Sequence, residues 1–139
     1  MDFLRQYLFI IPLVVMFLCE MTKVTVEYMR SGTWHEGIFR TGGMPSTHSA
    51  FVTSLLIVVW SKLGPHSVEF AIAFVFASVV WYDAISVRRE LGKQAELLNR
   101  LQHWQHLRVR LGHSAAQVLV GILFGAVVTH IGIWMSYNF

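Results

Sequence analysis

Hydrophobic residues occur in four blocks that polar segments separate. The blocks cover residues 7–19, 50–60, 70–82 and 118–128. A membrane-spanning helix needs about 20 mostly apolar residues, so each block reaches that length only by including polar residues at one end. The spans predicted in this way lie at about 5–24, 46–62, 67–87 and 113–135. Because the blocks are apolar on all sides, unlike the helices of a soluble bundle, we predict an all-α, membrane-embedded four-helix bundle in which residues 1–139 form one domain.

The polar ends of the four predicted spans all fall on one side of the membrane. The first and third connections lie on that side, and both termini lie on the other side with the short turn at 61–66. Ionisable residues at membrane depth are costly and usually face the interior of a bundle, where they do chemistry or transport. We therefore expect the polar ends to converge on one site at one membrane face.

Composition supports a membrane protein and excludes other classes. The 139 residues are 55% hydrophobic and 14% charged, whereas soluble domains carry about 25% charged residues. Cys19 is the single cysteine, which excludes a disulfide scaffold, and the hydrophobic content excludes a disordered tail. The basic residues lie between apolar blocks rather than on a polar surface with interspersed aromatic residues, so we expect no nucleic-acid partner.

The distribution of positive charge predicts an orientation. Nine of the eleven Lys and Arg residues lie in the first and third connections, against Arg5 and Lys62 on the other side. Positive charge accumulates on the cytoplasmic side of membrane proteins. If the four cations that are candidates for the site are set aside, five still stand against two. The site is therefore predicted to face the cytoplasm.

The third connection, at 88–110, is long and contains a helical pattern. Its apolar stripe lies among Arg, Lys, Glu and Gln residues and consists of Leu91, Ala95, Leu98 and Leu101. This pattern is typical of a helix that lies in the membrane interface over anionic lipid. The alternative is a polar helical hairpin that covers the bundle.

Gly121 and Gly125 place two small residues four positions apart in the last span. Such a step lets another helix approach closely. That helix belongs either to the same chain or to a second subunit. A homo-oligomer that forms through these two glycines is therefore one expectation.

The segment 41–50 is the most informative for function and reads Thr-Gly-Gly-Met-Pro-Ser-Thr-His-Ser-Ala. The glycines permit a turn, Pro45 suits a first helical turn, and Ser46 or Thr47 can cap a helix. Free N–H groups at a helix start favour an anion such as phosphate, and His48 would point at that anion. The alternative is a plain capped helix with a polar histidine at the level of the lipid headgroups.

A second histidine occurs in an equivalent setting. His113 follows a glycine at the start of the fourth predicted span, on the same side as His48. Gln117 lies one helical turn further, so that its side chain and that of His113 can touch. Two histidines at the same membrane face are harder to explain as structural residues than one.

Two groups of cations lie at the ends of predicted spans. They are Lys23 with Arg30, after the first span, and Arg88 with Arg89, after the third. Arginine forms bidentate contacts with phosphate oxygens, and lysine supplies a point charge. Structural roles are the alternative, because Arg88 and Arg89 could anchor a helix. The first group could likewise pair along a helix with Glu20 and Glu27.

These motifs resemble those of the phosphatidic-acid phosphatase type 2 (PAP2) enzymes. Lys23 and Arg30 have the spacing of the family's Lys-x6-Arg-Pro motif, the segment 45–48 resembles Pro-Ser-Gly-His, and His113 resembles the histidine of the third motif. A divergent branch, described as acid phosphatase/vanadium-dependent haloperoxidase-related, is closer still. The similarity to this branch covers 42–50, 83–99 and 111–113 in order, which is nearly the whole chain.

The resemblance implies hydrolysis of a phosphomonoester or a pyrophosphate through a phosphohistidine. No metal or other cofactor is expected, because Arg and Lys can neutralise the phosphoryl oxygens. By this analogy His113 attacks phosphorus, and His48 protonates the departing oxygen. The groups expected to hold the phosphoryl oxygens are Lys23, Arg30, Ser46, Thr47, Arg88 and Arg89. The predicted cytoplasmic face favours a lipid phosphate such as phosphatidylglycerophosphate or phosphatidic acid as substrate over a periplasmic polyprenyl pyrophosphate. We expect membrane lipids as the surroundings and the bacterial inner membrane as the location.

Gln117 departs from the family pattern, which has Asp at this position. A carboxylate fixes the histidine tautomer and stabilises the charge that forms during attack. We expect Gln117 to orient His113 by a hydrogen bond and Asp83 to supply the missing charge. The departure keeps open a protein that binds or transports lipid phosphate without hydrolysing it. A haloperoxidase or a metal site at His103, His106 and His113 fits the sequence less well, because the pocket is small and no Cys or acidic partner completes the ligand set.

Overall fold

The computed structural model describes residues 9–32, 44–102, 104, 106, 107, 109 and 113–138. In this part of the chain there are five α-helices and no strands. The helices are α1 (Ile10–Ser31), α2 (Thr47–Leu63), α3 (Val68–Ile85), α4 (Val87–Leu101) and α5 (Ala115–Asn138). The predicted all-α class is confirmed.

Two helical segments are long and apolar enough to cross a membrane. They are the continuous segment Val68–Leu101, which comprises α3 and α4, and the 24-residue helix Ala115–Asn138, which is α5. The apolar helix α2 is shorter, with 17 residues. Helix α1 has 22 residues, but its second half carries charged side chains. The described residues therefore contain two membrane-capable helical segments by length and composition.

Helix α2 lies at the centre of the fold and packs against α1, α3 and α5. Its contact with α5 is close because small residues face each other. A Cβ atom added to Gly121 would lie 2.5 Å from the carbonyl oxygen of Ser46, and one added to Gly125 would lie 2.8 Å from the Cα atom of Ala50. The helix that approaches these glycines thus belongs to the same chain. Both residues are buried against α2, and association with a second copy of the chain stays a prediction.

Buried hydroxyl groups continue the same contact toward the other end of the two helices. The Thr129 hydroxyl is hydrogen bonded to Ser54 Oγ at 2.7 Å and also contacts the carbonyl oxygen of Gly125, and both side chains are fully buried. A buried polar group without a partner costs free energy, so the two hydroxyls satisfy each other. Ile11, Val15 and Cys19 of α1 form an apolar stripe at four-residue spacing, and they cluster with Ala50 and Val58 of α2.

Helix α4 begins after Ser86, directly beyond α3, and contacts α3. It is helical as expected, and most of the predicted apolar stripe lies on its surface. Ala95 is buried, whereas Leu91, Leu98 and Leu101 are exposed. Among the described residues that follow α4 (102, 104, 106, 107 and 109), none is helical, so the predicted hairpin has no second helix there. The chain instead turns back, because the Asn99 side chain binds both the N–H and the C=O of Leu107.

Candidate functional site

The start of α2 carries three of the predicted site residues. The helix begins at Thr47, so Pro45 precedes its first turn instead of occupying it. Ser46 stands at the capping position, but its hydroxyl is hydrogen bonded to Ser49 Oγ at 2.9 Å. The predicted side-chain cap from Ser46 or Thr47 is therefore wrong. The first turn of α2 keeps N–H groups that neither of these two side chains caps, and His48 is exposed there.

Glu20 connects α1 to this helix start. Its carboxylate accepts hydrogen bonds from Lys23 Nζ at 2.7 Å and from Thr47 Oγ1 at 2.8 Å. The Lys23 side chain is only 14% exposed, which means that its ammonium group is held inside the structure against a counter-charge. The spacing of Glu20 and Lys23 on one helix predicts their pairing. The contact with Thr47 depends on the tertiary structure, and sequence analysis missed it.

His113 lies two residues ahead of α5 and outside that helix. It is buried, and its backbone N–H donates to the carbonyl oxygen of Ala84, near the end of α3, at 3.1 Å. Its Nδ1 atom is buried and has no hydrogen-bond partner among the residues that the structure describes. Burial is the main cause that lowers the pKa of His113. The positive charges of His48, Lys23 and Arg88 lower it further, so the neutral imidazole is favoured.

Gln117 caps the start of α5 instead of binding His113. Its Oε1 atom accepts from the Ser114 N–H at 2.8 Å, and its own N–H donates to Ser114 Oγ at 3.2 Å. This reciprocal arrangement is a capping box, and the Ser-x-x-Gln spacing is its sequence signature. The hydrogen bond that we predicted from Gln117 to His113 is therefore replaced by a local one. The backbone carbonyl of Gln117 also accepts from the Ser46 N–H at 3.3 Å, which joins the starts of α5 and α2.

The two adjacent arginines have different surroundings. Arg88 is half-buried, and its Nε atom donates to Asp83 Oδ2 at 2.6 Å. It is also close enough to His113 to act on it electrostatically. Arg89 is exposed. Of the two candidates, Arg88 thus belongs to the cluster. The Asp83 carboxylate is paired with Arg88 instead of being placed behind His113.

The structure therefore brings most of the predicted site residues to one end of the helices. His48, His113, Lys23 and Arg88 interact electrostatically, and Ser46 and Thr47 lie at the adjoining helix start. Arg30 is near the end of α1, and its side chain lies outside the described part of the structure. His103 also lies outside it. The described residues contain no group of three or more His, Cys, Asp or Glu side chains that could hold a metal ion.

The fold and this cluster define an all-α protein that has membrane-capable helices and a cationic, histidine-containing site at one end. The family described as "Divergent PAP2 family" has a sequence model that matches residues 4–128, and the chain belongs to this family. The chain is also 30% identical over 151 aligned positions to the uncharacterized membrane protein YuiD of Bacillus subtilis (strain 168), with 93% of this chain and 95% of that protein covered. No solved structure matches the chain significantly. The resemblance seen in the motifs is thereby confirmed.

Proposed function

We propose that this chain is an integral membrane phosphatase that hydrolyses a lipid phosphomonoester through a phosphohistidine. The observation that carries the proposal is the meeting of two histidines from separate helix starts with Lys23 and Arg88 at one end of the helices. Phosphoryl transfer needs positioning and charge stabilisation more than elaborate covalent chemistry. A substrate of the phosphatidylglycerophosphate or phosphatidic acid type would present its phosphate at membrane-surface level.

The proposed first step is attack on phosphorus by an imidazole nitrogen of neutral His113. The bond between phosphorus and the lipid oxygen breaks, and protonated His48 gives its proton to that oxygen, which releases the lipid alcohol. In the second step His48, now neutral, takes a proton from water. The resulting hydroxide attacks phosphorus, and the P–N bond breaks to release phosphate and restore His113. The lowered pKa of His113 supports its role, because only the neutral ring is a nucleophile.

Lys23 and Arg88 would neutralise the phosphoryl oxygens in both steps. The start of α2 would add the Thr47 backbone N–H and the Ser46 hydroxyl, because the Thr47 hydroxyl donates to Glu20 and the Ser46 N–H donates to Gln117. Arg30 completes the proposed set. Donors that are already fixed before the substrate binds stabilise developing charge most effectively. The hydrogen bonds of Lys23 and Thr47 to Glu20 support such prior positioning.

The proposal includes four membrane spans in the bacterial inner membrane, with the site on the cytoplasmic face. Nine of eleven cations on the side of the site support this orientation. It is tested by a Lys62→Cys variant in a Cys19→Ser background, treated in intact cells with a membrane-impermeant maleimide. Labelling is expected, because position 62 would lie outside. Labelling that occurs only after lysis would reverse the orientation.

The test of activity uses purified protein in detergent and a panel of lipid phosphates, with release of inorganic phosphate as the readout. His113→Ala should abolish release, and radiolabelled substrate should leave an acid-labile phosphate on the wild type and none on this variant. His130→Ala is the matched control, because His130 is an exposed histidine of α5 that binds the Ala126 carbonyl oxygen. Undiminished release by His113→Ala would exclude the nucleophile.

A second candidate function is binding or transport of lipid phosphate without hydrolysis. The observation that favours it is the capping role of Gln117, which leaves His113 Nδ1 without a partner among the described residues. An attacking histidine usually has such a partner to fix its tautomer. Saturable binding of a lipid phosphate by wild-type protein, with no phosphate release from any lipid of the panel, would establish this function over the phosphatase.

A further inference from the structure

We propose that Glu20 is a positioning residue that holds Lys23 and Thr47 in place for a phosphoryl group. This inference rests on the proposed function and adds a residue to it. Neither the phosphate-binding motifs nor the histidine motifs of the sequence contain Glu20. It is the contacts between α1 and α2 that assign it to the site.

The geometry of Glu20 links two helices through one carboxylate. Lys23 lies one turn away on α1, and Thr47 lies 27 positions away in sequence at the first position of α2. Lys23 would hold a phosphoryl oxygen through a second N–H of its ammonium group, and Thr47 through its backbone N–H, because its hydroxyl hydrogen is donated to Glu20. Because Thr47 directly precedes His48, the same carboxylate also fixes the turn that carries the second histidine. A change at Glu20 therefore acts on three site residues together.

Burial makes this ion pair different from an ordinary helical pair. Glu90 and Lys93 on α4 have the same three-residue spacing and a contact of 2.6 Å, but both side chains are 60% exposed. Water can replace either partner there, and exposed pairs contribute little. Lys23 is 14% exposed and Glu20 39%, so water has less access to this pair, and chiefly on the side of the carboxylate. Without Glu20, the lysine side chain would turn toward the surface, away from the site.

The effect of Glu20 on the reaction follows from this placement. An ammonium group has three donors, so Lys23 can bind Glu20 and a phosphoryl oxygen at once. The carboxylate also repels an anionic substrate, so its removal has opposing effects on ground-state binding. Loss of position acts mainly on the transition state, where small displacements are costly. We therefore expect substitution of Glu20 to lower kcat much more than it raises KM.

The experiment compares Glu20→Ala with Glu90→Ala, which removes a carboxylate from a Glu–Lys pair of the same spacing. We expect kcat to fall by about 10- to 100-fold for Glu20→Ala, with KM changed by less than about threefold, and Glu90→Ala to be unchanged. Glu20→Gln keeps an acceptor for Thr47 or Lys23 and should recover most of the loss. A kcat of Glu20→Ala close to that of Glu90→Ala would overturn the proposal.

A double-variant cycle separates positioning from simple stabilisation. In a Lys23→Gln background, Glu20→Ala should lower kcat by a much smaller factor than it does alone, because the ammonium group that Glu20 positions is gone. Fully independent losses would overturn the proposal. This doubly neutral variant also avoids an unpaired buried charge, so it is the form to use if Glu20→Ala unfolds, as judged by thermal unfolding in detergent.

A failure of the proposed phosphatase activity can be distinguished from a failure of the inference about Glu20. If wild-type protein releases no phosphate from any lipid, the phosphatase is excluded, and binding of the same variants to vesicles that contain phosphatidic acid tests Glu20. Positioning then requires that Lys23→Gln weaken binding less in the Glu20→Ala background than in the wild-type background, because a lysine that has lost its position contributes little to binding. Equal weakening in the two backgrounds would overturn the inference about Glu20.

Discussion

Polar side chains occur in two different environments in this fold: they are buried in the contact between α2 and α5, and they are exposed on the surface of α4. Between α2 and α5, the hydroxyls of Ser54 and Thr129 are fully buried and bind each other. On the exposed surface of α4, ion pairs join side chains that water can reach, such as Arg100 with Glu96 at 2.7 Å. The distances are alike, but only the buried groups lack water as a substitute partner. Burial, and not contact distance, therefore decides which polar pairs the fold depends on.

The largest loss of stability is expected from a substitution at Gly125, in the buried contact between α2 and α5. In Gly125→Ala the new methyl group would meet the backbone of Ala50, which cannot move without shifting α2. Overpacking of this kind costs about 1–3 kcal/mol. Gly132→Ala is the matched control on the same helix, because its methyl group would meet only the Ile11 side chain at 3.3 Å. Thermal unfolding in detergent should show a lower midpoint for Gly125→Ala and an unchanged or higher one for Gly132→Ala. Equal midpoints would contradict the close contact.

Substitution of Gly121 tests the same contact between α2 and α5, and it also affects the candidate functional site. The added Cβ atom would lie 2.5 Å from the carbonyl oxygen of Ser46, so relief of the clash displaces the start of α2. At equal folded fraction, Gly121→Ala should therefore have lower phosphatase activity than Gly125→Ala. The measurement is phosphate release per folded molecule. Equal activities would mean that the start of α2 tolerates the shift.

The buried hydroxyl pair should give a smaller effect. Thr129→Val keeps the shape of the side chain but removes the hydroxyl that binds Ser54, at a cost of about 1 kcal/mol. Thr25→Val on α1 is the control, since Thr25 is exposed and binds only the carbonyl oxygen one turn earlier. Adding Ser54→Ala to Thr129→Val should restore part of the loss, because no unpaired hydroxyl is then left. A double variant less stable than the sum of the single ones would argue against this explanation.

The smallest effect is expected on α4. Glu96→Ala breaks an exposed pair with Arg100, and such pairs contribute less than about 0.5 kcal/mol on a helix surface. The unfolding midpoint should stay within measurement error, at low and at high salt. A clear loss at low salt that disappears at high salt would show that the surface charges of α4 support the fold after all.

The helices and the grouping of the histidines follow from local sequence patterns. Apolar blocks with turn residues between them predict helices, and two histidines that begin spans on the same side predict their convergence. The partners of individual side chains depended on the tertiary structure in two cases. The contact of Glu20 with Thr47 joins residues 27 positions apart, and spacing along one helix gives no information about it. The neighbour of Gly121 and Gly125 also required the packing of α5 on α2.

Gln117 illustrates a different reason for a wrong prediction. Its position one turn after His113 allowed a contact between the two side chains, but the Ser-x-x-Gln spacing allowed a capping box as well. The local interaction prevails because it satisfies N–H groups that a helix start otherwise leaves without partners. Two plausible partners were therefore present in the sequence, and the backbone required one of them.

Two backbone hydrogen bonds fix how the parts of the site meet. The N–H of His113 binds the carbonyl oxygen of Ala84, and the N–H of Ser46 binds that of Gln117. Peptide groups are common to almost every residue, so these links are kept when the side chains at the four positions change. Substitution of the reactive groups thus leaves the frame that presents them intact. A lineage with this architecture is free to exchange the chemistry of its site, including the residue at 117, without having to evolve a new fold.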